Sequence, residues 1–200
     1  MALSKIQAES MNLADTFAFT GTVSGTPDTN DMTLLLNATI SSSIGEYDIS
    51  STYINSTYDT YFLDASFHIE SDSKLLYLNP FVNGSIASSG IAYNVLNIDS
   101  GQRVFTDSST VIRAVYNPVG NQNGESATIN GYLQNVNSTT IPFVFSGKSN
   151  YYRTNGLHES ALFTGGFVVG NRALVVNGFR LWFSGSQIQE GTVKLYGLRK

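Results

Sequence analysis

The chain has 200 residues, of which only 13% are charged, and a net charge of -4, against roughly 25% charged residues in an average soluble domain. That balance offers no basic footprint for a phosphate backbone and excludes nucleic acid as an expected partner. Cysteine is absent, which removes disulfides, thiolate zinc sites and cysteine nucleophiles, and no run reaches the roughly 20 apolar residues of a membrane span.

Residues 1–4 lack a basic segment followed by an apolar core, so no secretory leader is expected. The sequons at Asn37, Asn55, Asn83 and Asn137 are read as products of an Asn/Ser/Thr-rich composition. Neutral polar groups meet water where Lys and Glu usually do. Such a surface loses little side-chain entropy on docking into an assembly.

Residues 1–30 read as an arm with a short hairpin, serving attachment or oligomer contact. Weak helical spacing joins Ile6, Met11 and Leu13, and an aromatic, β-branched run follows through Phe17, Phe19 and Val23. From residue 31 to 200 the pattern is one domain of recurring strands. Residues 32–43 form the first, with Leu34 to Leu36 expected to be buried on both faces. Residues 45–58 are polar and Tyr-rich, a loop or a second short hairpin. Tyr61, Leu63, Ala65, Phe67 and Ile69 then alternate with Phe62, Asp64, Ser66 and His68, the period-two signature of a half-buried strand.

Leu75 to Leu78 and Phe81-Val82 continue in extended form, with Pro80 demanding a bulge or an edge because it cannot donate to a ladder. Further strands are expected at 91–98 and 110–116. A hairpin is expected from 127–136 to 140–145 through Asn137, with a bulge at Asn130-Gly131. Residues 151–158, YYRTNGLH, read as a loop, and residues 161–169 and 174–176 as extended chain. In the closing stretch Phe179, Leu181 and Phe183 face one way while Arg180 and Trp182 face the other. Val193, Leu195 and Gly197 repeat the alternation, so the segment reads as a closing hairpin turned at Ser184-Gly185. Short strands without an intervening helix of ordinary length predict an all-β fold, an antiparallel β-sandwich of jelly-roll type.

The chemistry is sparse. Asp64, Ser66, His68 and Glu70 share a strand face, but alternate residues stand about 6.5 to 7 Å apart and Asp64 to His68 spans about 13 Å. A solvated polar face is the plainer reading. A carboxylate pair such as Asp64 and Glu159 could serve a glycosidase, yet nothing in the sequence selects it. No hydrolase, zinc-protease, phosphate-loop or EF-hand motif occurs. The chain is therefore expected to be no enzyme, with no catalytic residue, metal or cofactor. Tyr53, Tyr58, Tyr151 and Tyr152 fall in expected loops, where a tyrosine either lids the core or stacks on a sugar or protein surface. Tyr151 and Tyr152, with Arg153 and His158, are the receptor-binding candidates.

The ending Phe179-Arg180-Leu181-Trp182-Phe183-Ser184-Gly185, followed by Ile188 and Gly191-Thr192-Val193-Lys194-Leu195-Tyr196-Gly197, resembles that of tailed-bacteriophage appendage proteins, particularly those of marine phages. Tyr58-Asp59-Thr60-Tyr61 is similar to an early sheet strand of that family. Asn123-Gly124-Glu125-Ser126-Ala127-Thr128-Ile129 is similar to the segment before its middle hairpin, and residues 4–25 to a stretch ahead of such a domain. The resemblance implies a jelly-roll virion domain, commonly a homotrimer, borne on a fibre, appendage or spike and engaged in host adhesion through a surface glycan or protein. It also leaves open a capsid decoration protein, while a free lectin or glycan-active enzyme is the rival of another class. Fibre proteins usually carry a shaft or anchor first. Here attachment to other virion proteins is expected through the arm, at the virion surface of a particle made in the host cytoplasm.

Overall fold

The computed structural model describes residues 32–171 and 173–198. Residues 1–30, with the attachment candidates Ile6, Met11, Leu13, Phe17, Phe19 and Val23, lie outside the described residues. Two antiparallel sheets pack face to face, as the alternating patterns require. In spatial order the larger sheet comprises β1 (Met32–Ile40), β13 (Ile188–Leu198), β3 (Thr60–Ile69), β9 (Ala127–Gln134), β10 (Val144–Tyr152), β11 (His158–Phe167), β6 (Ile91–Asn97) and β7 (Arg103–Ser109). The smaller comprises β2 (Glu46–Ile49), β12 (Val176–Phe183), β4 (Leu76–Val82) and β5 (Ser85–Ile86), with β8 (Ile112–Arg113) also paired to β4.

The clearest expected strands hold. Tyr61, Leu63, Ala65, Phe67 and Ile69 of β3 are buried, as are Phe179, Leu181 and Phe183 of β12 and Val193 and Leu195 of β13. Aromatic rings lock the sheets together: Phe179 of the smaller sheet lies 5.2 Å from Phe143 and 6.1 Å from Phe145, and Phe183 lies 5.9 Å from Phe67. Pro80 sits within β4, but its carbonyl accepts from Ala87 N at 2.9 Å. Its nitrogen therefore also faces the short β5 side, where a missing donor removes little from the sheet.

Several expectations change. β12 and β13 do not pair with each other; the turn at Ser184-Gly185, with Gly185 at φ 65°, carries the chain from the smaller sheet into the larger. Leu34 is half exposed: a register shift between Leu34 and Leu36 leaves it on the outer side, while Leu36 is buried and Leu35 packs partly against the core. Asn130 and Gly131 pair with Lys148 and Gly147 without a bulge. Glycine is needed there for close approach: a Cβ on Gly131 would stand 2.4 Å from the Ser146 carbonyl oxygen. The segment around residues 110–116 contributes only the two-residue β8, although Ile112, Ala114 and Val115 are fully buried. β7, a full strand, lies in a stretch to which the sequence pattern assigns no element.

Candidate binding surface

The strand pair β10 and β11, with the connection between them, carries the four receptor candidates and separates them into two groups. Tyr151 is not in a loop. It closes the inward series of β10 after Phe145 and Ser149, and is 1% exposed. Its hydroxyl donates to Glu159 Oε2 at 2.9 Å and accepts from the Asn117 and Tyr116 backbone N–H groups at 2.9 and 3.2 Å. Burial pushes the Tyr151 phenol well above its usual value; the Asn117 bond opposes this and the Glu159 carboxylate reinforces it. Arg153 Nη1 donates to Glu159 Oε1 at 3.1 Å, Asn97 Nδ2 to Oε2 at 3.1 Å, and Asn117 Nδ2 reaches both oxygens at 3.0 and 2.9 Å. Glu159 is thus an acceptor hub tying β11 to β6, β10 and the chain after β8.

Tyr152 and His158 do remain together at the surface. They are paired across the end of the hairpin, with ring centroids 5.4 Å apart. Of the other loop tyrosines, Tyr58 is buried and packs edge-on against Tyr61 at 5.7 Å, and so lids the core. The Asn137 side-chain amide donates to the Asn55 carbonyl at 2.9 Å, which occupies one sequon in the fold itself.

The polar face of β3 holds no assembled centre. Ser66 and Thr192 hydroxyls hydrogen-bond each other at 2.9 Å, and His68 Nε2 is buried with no hydrogen-bond partner among the described residues. Asp64 is paired in register with Lys194 and Asn130, far along the sheet from the Glu159 hub. No group of three or more His, Cys, Asp or Glu able to hold a metal occurs among the described residues.

The outer face of the larger sheet carries the unexpected feature. Strand pairing aligns Leu34, Tyr196, Phe62, Tyr132, Ser146, Thr164, Asn94 and Phe105 in one cross-strand row from edge to edge. The row contains no charge. Its first half is aromatic and in contact, with Phe62 5.1 Å from Tyr132 and 6.2 Å from Tyr196. Leu34 and Tyr132 are 50% and 42% exposed, and Met32 and Leu198 extend the band in the flanking outward row. On the other side, the next row runs through Lys194, Asp64, Asn130 and Lys148. Beyond it Thr192, Ser66, Thr128 and Asn150 make a row of neutral polar groups. One end of the face is therefore apolar and the other polar.

At the far end of the aligned row, Phe105 borders a groove of about 380 Å³ with Asn94, Arg103 and Thr164. Sequence patterning missed this surface because its members lie on eight different strands. The available signal was local and small: Phe62, Tyr132 and Tyr196 each stand at the outward position of an alternating strand. Compared with known proteins, the chain matches no family model, no curated protein and no solved structure.

Proposed function

We propose that this chain is a non-enzymatic structural protein of a tailed-phage virion, a homotrimeric sandwich displayed on a fibre, appendage or spike and engaged in host adhesion. The observation that carries the assembly part is the uncharged aromatic band of Leu34, Tyr196, Phe62 and Tyr132. Exposed contiguous apolar surface of this kind marks an interaction site. Its occupant is a neighbouring copy of the same chain. A band without charge meets its own copy without like-charge opposition, and it is continuous with β1, which is an edge strand of the sheet among the described residues. The resemblance of the closing stretch supplies the virion setting and the trimer.

Light scattering on the purified full chain tests this reading. The wild type should measure as a trimer, and the double variant Phe62→Ser with Tyr132→Ser as a folded monomer. Lys194→Ser, in the neighbouring charged row, should stay trimeric. A wild type that is monomeric at micromolar concentration overturns the assembly part; absence of the protein from purified particles by antibody labelling overturns the virion setting.

A further inference from the structure

We propose that the free edge of β7 pairs antiparallel with the same edge of a second copy of this chain, about a two-fold axis at Phe105. β7 ends the larger sheet, and among the described residues no strand pairs with its other side. Which backbone groups are open there follows from its ladder with β6, where Leu96, Val95 and Asn94 stand opposite Arg103, Val104 and Phe105. Asn97 N donates to the Gln102 carbonyl at 2.8 Å, so Gln102 turns its carbonyl to β6. Bonded and non-bonded positions alternate along an antiparallel pair. Val104 therefore also turns to β6, and the N–H and C=O groups of Arg103 and Phe105 point out at the open edge.

An open edge is a template for another strand, and the side chains of β7 say which strand fits. Arg103, Phe105 and Asp107 are exposed, Phe105 at 67%, and neither Arg103 nor Asp107 has an ion-pair partner among the described residues. The two charges are opposite in sign and stand symmetrically about Phe105 in the run Arg103-Val104-Phe105-Thr106-Asp107. An antiparallel copy centred on Phe105 sets Arg103 against Asp107 on both sides of the axis, Val104 against Thr106, and Phe105 against itself. Opposite charges, β-branched residues and aromatic rings are each favourable cross-strand pairs. Arg103 already lies over the Phe105 ring, 5.4 Å from its centroid, which keeps the guanidinium at the contact. An edge guarded against its own copy carries one sign of charge, as with lysine; here the signs are complementary under the two-fold. The register to β6 shifts beyond Thr106, a bulge that ends the regular edge and confines the contact to residues 103–107. A contact this short belongs with the weak interfaces below roughly 1,200 Å², open at micromolar concentration and closed where copies are held together in an assembly. It lies at the opposite edge of the sheet from the β1 band and does not rest on it. Where the band holds trimers, this contact links them in pairs.

Disulfide trapping tests the pairing, because the chain contains no cysteine and a denaturing, non-reducing gel reads the cross-link alone, whether or not the trimer forms. On the axis, residue 105 faces its own copy at the roughly 5.5 Å Cα separation of a bonded pair, within the span of a disulfide. Residue 103 lies about 13 Å along the strand from its own copy. Phe105→Cys in a glutathione redox buffer should therefore give covalent dimer at least about tenfold faster than Leu162→Cys, an exposed position on the inner strand β11. Arg103→Cys and Asp107→Cys should each stay monomeric on the gel and cross-link when mixed. Added to Phe105→Cys, Asp107→Arg or Arg103→Asp should each slow the dimer about tenfold by setting like charges opposite, and mixing those two proteins should restore it. All should unfold thermally as the wild type does, since each site is exposed. Phe105→Cys no faster than Leu162→Cys, Arg103→Cys alone cross-linking as fast as Phe105→Cys, or a mixture that does not restore the dimer each overturns the inference.

Discussion

Glu159→Gln tests whether the Tyr151, Arg153 and Glu159 group is part of the framework or a recognition site. Glu159 is 8% exposed and its two oxygens accept from Asn97, Asn117, Tyr151 and Arg153. Only an ionised carboxylate is an acceptor at both positions. Glutamine keeps the shape but must turn its amide NH2 either toward Arg153 or toward Tyr151 and Asn97, so donors face donors. A hydrogen bond to a charged group contributes about 1.5 to 3 kcal/mol, and leaving a buried partner unsatisfied costs about 1 to 3 kcal/mol more. The Arg153 side chain is 35% exposed, so water recovers much of its share. The expected loss is about 2 to 4 kcal/mol, a large part of the 5 to 15 kcal/mol of an ordinary domain. Urea unfolding followed by tryptophan fluorescence measures it as a lower midpoint at unchanged slope. A loss within about 0.5 kcal/mol, as for a surface change, would refute the framework role.

Leu181→Ala removes a fully buried side chain from the central strand of the smaller sheet, and should cost about 2 to 5 kcal/mol by the same unfolding measurement. Gly147→Ala would put a Cβ 2.2 Å from the Asn130 carbonyl oxygen and 2.8 Å from the Gly131 Cα. Because backbone cannot step aside cheaply, a loss of about 1 to 3 kcal/mol is expected, and an unchanged midpoint would contradict the close strand approach. Stability should also fall in alkali. The Tyr151 phenol is raised above its usual value of 10.0 in the folded chain, so its contribution is present below about pH 10 and is lost as pH rises above that, by up to about 1.4 kcal/mol per pH unit. Burial raises Tyr47, Tyr61 and Tyr77 in the same sense. Tyr151→Phe should therefore flatten the decline without abolishing it, and an identical slope would contradict the assignment.

The sandwich was legible where a strand buries one face. β3 and β12 alternate cleanly because each has one buried and one outward face, and the periodicity transfers directly to burial. The inverted case was not legible. In β7 Phe105 points outward at the edge, so the strand offers no inward apolar series to read. Around Ile112 the reverse holds: Ala114 and Val115 are fully buried while only Ile112 and Arg113 enter a ladder, and an apolar run alone does not distinguish buried irregular chain from strand. Tyr151 looked like loop because of its neighbours Arg153, Asn155 and Gly156. The series Phe145, Ser149 and Tyr151 nevertheless continues the inward period of β10, interrupted at Gly147 by the residue that lets the strands approach.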